Sequence, residues 1–241
     1  MQAMMTRNAM LMRGLGAVLA IGATAGCGAQ IPTASAREIH VAAVGTGTDS
    51  MALVLLDRLP VKGRAPKTGY SRDEFGPAWA DTDGNGCDQR DDVLARDLVE
   101  IRRAPGSACV VASGTLHDLY TGRTIPFVRG KTTSSAVQID HVVSLSDAWQ
   151  TGAQQLDAAT RERLATDLDN LQAVDGPTNE AKGDGDAATW LPPNRAAWCR
   201  YAARQVTIKA RYRLWVTPAE RDALAGVLGN CPTAQATEAP Q

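Results

Sequence analysis

Four cysteines, Cys87, Cys109, Cys199 and Cys231, follow an N-terminal export pattern and restrict what this chain can fold into. Arg7 and Arg13 precede the apolar run "GLGAVLAIGATAG", which is too short to span a bilayer as a mature helix. It reads as a secretory signal over residues 1–26. In an exported chain an even set of cysteines reads as structural disulfides. Four cysteines allow three pairings, and Cys87–Cys109 with Cys199–Cys231 is favoured because each closes a short local loop. A zinc site has little support, since there is no C-x-x-C pair and no nearby histidine. The fifth cysteine, Cys27, stands where bacterial lipoproteins carry an acylated cysteine. A lipid anchor at Cys27 is therefore one reading of the export site, and cleavage after Ala25 or at "ASA" 34–36 are the others.

Residues 27–50 are small and polar and read as a linker or tether, and the tail 232–241 is disordered by composition. Between them, residues 51–231 suffice for one domain with a real core. The formal net charge of -1 supplies no global basic field, which argues against a protein that coats nucleic acid but not against an enzyme that touches it briefly.

Periodicity sets the order of elements. "MALVLLDRL" (51–59) has helical spacing and stops at Pro60. "RDDVLARDLVEIR" (90–102) reads as an amphipathic helix running into a strand, and "CVVASGTLHDLYTGRTIPFVRG" (109–130) as a hairpin or meander. "VQIDHVV" (137–143) alternates as a strand, with Ser146 the expected cap of the helix that follows. Residues 157–169 read as a helix, "NLQAV" as a short strand, and "DGPTNEAKGDGD" as a loop feeding a short helix. Helices over 194–213 and 218–229 close the domain, with Trp190, Trp198 and Trp215 packing its core. The class is α+β.

Three stretches carry candidate chemistry. In "DTDGNGCDQRDD", Asp81, Asp83 and Asn85 occupy positions one, three and five of a calcium loop, Gly86 position six, and Asp92 position twelve in place of Glu. The same residues also suit an Asp/Asn/Gly turn locked by Cys87. His40 lies in the linker, and His117 is expected to satisfy a turn. His141, directly after Asp140 and followed downstream by Asn170, Asn179 and Lys182, is the third. An imidazole suits a general base, and one carboxylate plus one amide oxygen can hold a hard divalent ion that keeps several waters.

The stretch "DHVVSLSDAW…LDNLQAVDGPTNEAKGD" resembles the HNH endonucleases, in the Asp-His…Asn…Asn-x-x-Lys form found in RNA-guided CRISPR nucleases and in the C-terminal domain of GmrSD-type restriction enzymes. The upstream block from Val61 to Leu98 is similar to the exported actinobacterial branch of the latter, so the resemblance spans roughly residues 50–231. It implies a ββα-metal (His-Me finger) core within a mainly helical, disulfide-stapled domain. It implies His141 as general base, Asp140 and Asn179 as ligands of Mg²⁺ or Mn²⁺, and Asn170 as a brace of the loop. Lys182 would steady phosphate charge. Asn179 stands where other branches carry His, which implies a weakly held, exchangeable metal. Asp184 and Asp186 are expected in a turn or in contact with outer waters.

The expected function is therefore that of an exported, metal-dependent, monomeric endonuclease that binds nucleic acid transiently, uses no nucleotide cofactor and meets the membrane only through a lipid anchor. The competing reading is a non-catalytic envelope protein on the same scaffold, binding Ca²⁺ at 81–92. A serine hydrolase lacks the G-x-S-x-G elbow. Arg200, Arg204, Lys209, Arg211 and Arg213 on the penultimate helix suit either solvated charges or phosphate contacts.

Overall fold

The computed structural model describes residues 51–231. The expected signal segment, the linker with Cys27 and His40, and the tail 232–241 lie outside the described residues. The described residues form a mixed α+β structure with two small sheets and two disulfides.

The described residues open with α1 (Met51–Leu56). After a turn-rich segment, Asp88 caps α2 (Gln89–Asp97) by accepting from the amide of Asp91. α2 leads directly into β1 (Leu98–Arg103), which pairs antiparallel with β2 (Val111–His117), and β2 with β3 (Thr124–Val128). Pro126, which has no N–H to donate, sits on the edge strand β3. Cys87 and Cys109 are joined, with their Cα atoms 5.2 Å apart, which anchors the turn before α2 to the start of the hairpin.

The second sheet has two antiparallel strands, β4 (Val137–His141) and β5 (Leu171–Asp175), with Asp140 opposite Gln172 and His141 opposite Leu171. Between them run α3 (Leu145–Gln150) and α4 (Ala158–Thr166). The cap of α3 is Ser144, not Ser146: the Ser144 side chain accepts from the amide of Asp147, and the Ser146 hydroxyl donates to Asp184. α5 (Gly176–Lys182) follows β5 with no intervening loop, so most of the expected loop over "DGPTNEAKGDGD" is helix. The cause is local. Asp175 accepts from Thr178 N, Pro177 lies in the first turn, and Gly176 lets the helix start where a Cβ would come within 2.0 Å of the Ser135 carbonyl.

α6 (Trp198–Arg211) and α7 (Pro218–Leu228) are the last helices of the described residues. Ala202 and Val206 pack with Leu224, Leu228, Ala52 and Leu56, joining both helices to α1. The Cys199–Cys231 disulfide staples this end, with Cα atoms 5.7 Å apart. A second cluster sets Val93 and Leu94 of α2 among Leu116 and Phe127 of the first sheet and Val137 and Ile139 of β4. Trp190 meets Tyr120 and Tyr201 edge-on at 5.1 and 5.6 Å, Trp215 is buried, and Trp198 is half-buried with its indole N–H donated to Pro192 O.

Candidate active site

Strand alternation decides what each residue of β4 can reach. Val137 and Ile139 face the core shared with α2, and His141 continues that row. Gln138 and Asp140 face the other way, toward α5: Asn179 Nδ2 donates to Gln138 Oε1 at 2.9 Å and Lys182 Nζ to Asp140 Oδ1 at 2.8 Å.

Asp140 is only 5 % exposed, and both of its oxygens are engaged, Oδ1 by Lys182 and Oδ2 by the Tyr120 hydroxyl at 2.6 Å. Lys182, 3 % exposed, also donates to the His141 carbonyl at 2.7 Å. Burial and the Asp140 charge push the Tyr120 phenol well above its usual range, so it remains a donor. The structure thus joins Asp140 to Lys182 and Tyr120, and Asn179 to Gln138. It does not bring Asp140 and Asn179 into an open cleft with His141. Lys182 neutralises a buried carboxylate rather than meeting a phosphate at the surface.

His141 occupies the opposite face, where it lines a cavity of about 80 Å³ together with Gln89, Leu171 and Ala165. Its Nε2 lies 2.9 Å from the Ala165 carbonyl. A carbonyl can only accept, so Nε2 carries the hydrogen and the neutral ring keeps its lone pair on Nδ1. Nδ1 has no hydrogen-bond partner among the described residues. Burial, reinforced by Arg72 and Lys182 and opposed by the Ala165 bond and the Asp140 charge, pulls the imidazole down to about 4. The ring is therefore neutral at physiological pH.

Asn170 is fully buried and braces the segment after His141. Its Oδ1 accepts from Val143 N at 2.8 Å, its Nδ2 donates to the Val143 and Leu164 carbonyls at 3.3 Å each, and its own carbonyl accepts from Val142 N at 2.8 Å. One amide side chain thereby ties the end of β4 to the end of α4 and the start of β5.

The remaining candidates fall elsewhere. Asp81 accepts from the amides of Gly84 and Gly86, Asp83 from the amide of Asn85, and Asn85 Nδ2 donates to Asp83 and Asp92. This is the turn network, and Asp81, Asp83 and Asp92 do not bring three carboxylate oxygens within 4.8 Å of one another. The described residues hold one such group, Asp147, Asp186 and Glu220, all buried. Cations already sit within it: Lys209 bridges Asp147 and Glu220 at 2.8 and 2.6 Å, and Arg64 bridges Asp147 and Asp186 at 3.1 and 2.8 Å. Burial, opposed by Lys209 and reinforced by Asp147, pushes Glu220 up to about 7. Asp184 pairs with Lys67 and accepts from Ser146. His117 meets Thr124 at 3.2 Å within the hairpin, as a turn residue would. Of the cations singled out near α6, Arg204 donates to the carbonyls of Asp169 and Leu171 and Lys209 is buried as above, while Arg211 pairs at the surface with Asp167 and Asp169 and Arg200 and Arg213 are exposed.

The family model of the GmrSD restriction endonucleases, C-terminal domain, matches residues 88–227, a stretch that holds His141, Asp140, Asn170, Asn179 and Lys182. The chain belongs to this family. A GmrSD C-terminal domain is a nuclease-like domain of the HNH type, and HNH nucleases generally use a divalent metal. A protein of Arthroderma benhamiae named "Uncharacterized secreted protein" is 40 % identical over 184 residues, covering 76 % of this chain and 85 % of that protein. No solved structure matches significantly. Both disulfides fit an extracellular setting for this GmrSD-family chain.

Three residues that the motif does not announce complete the surroundings of His141 and Asp140. Tyr120 arrives from the turn between β2 and β3, and Arg72 and Trp79 from the segment before α2. No periodicity or spacing marks them, because tertiary contacts alone bring them near β4.

Proposed function

We propose that this chain is an exported endonuclease that hydrolyses phosphodiester bonds in nucleic acid, with His141 as general base. The observation that supports this most directly is the orientation of the imidazole: Nε2–H held by the Ala165 carbonyl, Nδ1 without a partner, the ring on a cavity wall. A water in the cavity would place its oxygen on phosphorus and pass its proton to Nδ1 as the P–O bond to the leaving sugar oxygen breaks, that oxygen taking a proton from solvent and the imidazolium later returning its own. A base at about 4 is available at neutral pH but weak, and an anionic phosphate beside it would raise its proton affinity. Asn170 and Lys182 act as positioning residues, since both hold backbone at or next to His141. Export is supported by the disulfides and by the secreted relative.

The expected metal pair does not fit as arranged. Each Asp140 oxygen has a donor, and a divalent ion there would have to displace or crowd the Lys182 ammonium, an unfavourable contact between like charges.

The test is incubation of the secreted protein with supercoiled plasmid, single-stranded DNA and RNA, each with magnesium and with EDTA, alongside His141→Ala. Cleavage that disappears in His141→Ala is the expected result. Absence of cleavage of all three substrates, or an undiminished rate in His141→Ala, overturns the assignment. The EDTA arm reports whether an ion is needed.

A further inference from the structure

The mouth of the His141 cavity is built by Arg72, Asp73 and the run from Phe75 to Trp79, which precede the segment matched by the family model. A short 3-10 turn, Arg72–Phe75, seats Phe75 in the core against Trp149 and leaves Arg72 exposed at the rim. Among the described residues the Arg72 side chain makes no ion pair and no hydrogen bond, unlike Arg204, Lys209 and Arg211. Trp79 lines the same cavity yet is 39 % exposed, and its indole N–H has no partner among the described residues. Its backbone is held at φ 58°, a conformation that disfavours a bulky residue. The Arg90 guanidinium, tethered to the Ser134 and Val137 carbonyls, lies 5.9 Å from the ring centroid and helps hold the indole in place. An aromatic ring kept at the surface, in a strained backbone, beside a free cation and a histidine, has the makings of a nucleotide subsite. A base stacks on the ring and the adjoining phosphate meets the cation.

We propose that Arg72 and Trp79 form such a subsite and that the substrate is therefore single-stranded nucleic acid, whose unpaired bases are free to stack. The inference rests on the nuclease reading and deepens it. Stacking on an aromatic ring needs an exposed base face, which a duplex does not offer without flipping. A near-neutral chain whose Arg204, Lys209 and Arg211 are engaged also supplies no global basic field to track a duplex backbone. Asp73 shares the rim and opposes an incoming phosphate, so Arg72 is what makes this mouth acceptable to an anion.

The experiment separates binding from cleavage. Fluorescence anisotropy of labelled single-stranded and duplex oligonucleotides is measured with His141→Ala, His141→Ala/Trp79→Ala and His141→Ala/Arg72→Ala. Cleavage of both substrates is measured with the parent chain, Trp79→Ala, Arg72→Ala and Asp73→Asn. Trp79 and Arg72 are surface residues, and circular dichroism melts check that each variant is folded. The expected result is preferential binding of the single strand, a loss of about tenfold to a hundredfold in Trp79→Ala, the range of one base stack, and tighter binding in Asp73→Asn. In cleavage, Trp79→Ala raises KM while kcat holds. Equal handling of duplex and single strand, or unchanged binding in a folded Trp79→Ala, overturns the subsite and leaves the nuclease assignment standing. Trp79-dependent binding of single strands with no cleavage by the parent chain supports the subsite and overturns the nuclease assignment.

Discussion

Replacing Lys182 with methionine tests the central feature of this site, a carboxylate and an ammonium closed off together beneath α5. The ion pair spans 2.8 Å, with neither partner more than 6 % exposed along its side chain. At an effective dielectric of about 20, two unit charges at that distance attract by about 6 kcal/mol. Methionine restores the apolar stem and removes the desolvation of the ammonium, which offsets part of this. What remains is a buried carboxylate with one donor, Tyr120, where it had two. Breaking a buried pair from one side costs about 3–5 kcal/mol. For a domain of this size that is a fall in melting temperature of about 6–20 °C. The assay is urea unfolding followed by tryptophan fluorescence in EDTA, for Lys182→Met, Asp140→Asn and the double variant. The double variant should be more stable than Lys182→Met alone, because no uncompensated charge is left, and the cycle should give a coupling of about 2–3 kcal/mol. If Lys182→Met costs less than about 1 kcal/mol and the two changes simply add, the carboxylate has water or another cation available, and the closed pair described here is wrong.

Two further outcomes follow from the same geometry. The His141 imidazole falls from 6.5 to about 4 on folding, so the folded state prefers the neutral ring. Its contribution to stability is fully present above the unfolded value and is lost as pH falls from 6.5 to about 4, by about 3 kcal/mol at the limit. A His141→Gln variant should lose less stability over that window in thermal melts, and the parent's acid limb of activity should lie well below 6.5. An identical pH dependence in the two proteins would show that the ring is not desolvated. Removing the Cys199–Cys231 bridge with paired alanines opens a loop of sequence separation 32 and should lower unfolding free energy by about 3–4 kcal/mol in the loop-entropy account. Unchanged denaturant midpoints would mean that the packing of α1, α6 and α7 alone holds this end.

The sequence by itself determined a good deal. The export pattern and the four cysteines that remain once Cys27 is set aside pointed to two local disulfides, and both are present. Alternation in "VQIDHVV" located one strand of the small sheet, because a period of two is a local property that survives packing, and the short run "NLQAV" located its partner. The helix-start chemistry of "DGPT" was also local, and that stretch was expected as a loop although Asp175, Gly176 and Pro177 together carry a cap, a close approach and a first-turn proline. What only the tertiary structure decided was the partner of each charge. Adjacent Asp140 and His141 look like one unit in the sequence, yet a strand sends them to opposite faces, one under α5 and one toward residues 72–79. A buried carboxylate must take whatever donor the fold delivers. Here these are Tyr120, twenty positions upstream, and Lys182, forty-two positions downstream, and their meeting at Asp140 depends on the folding of the intervening chain.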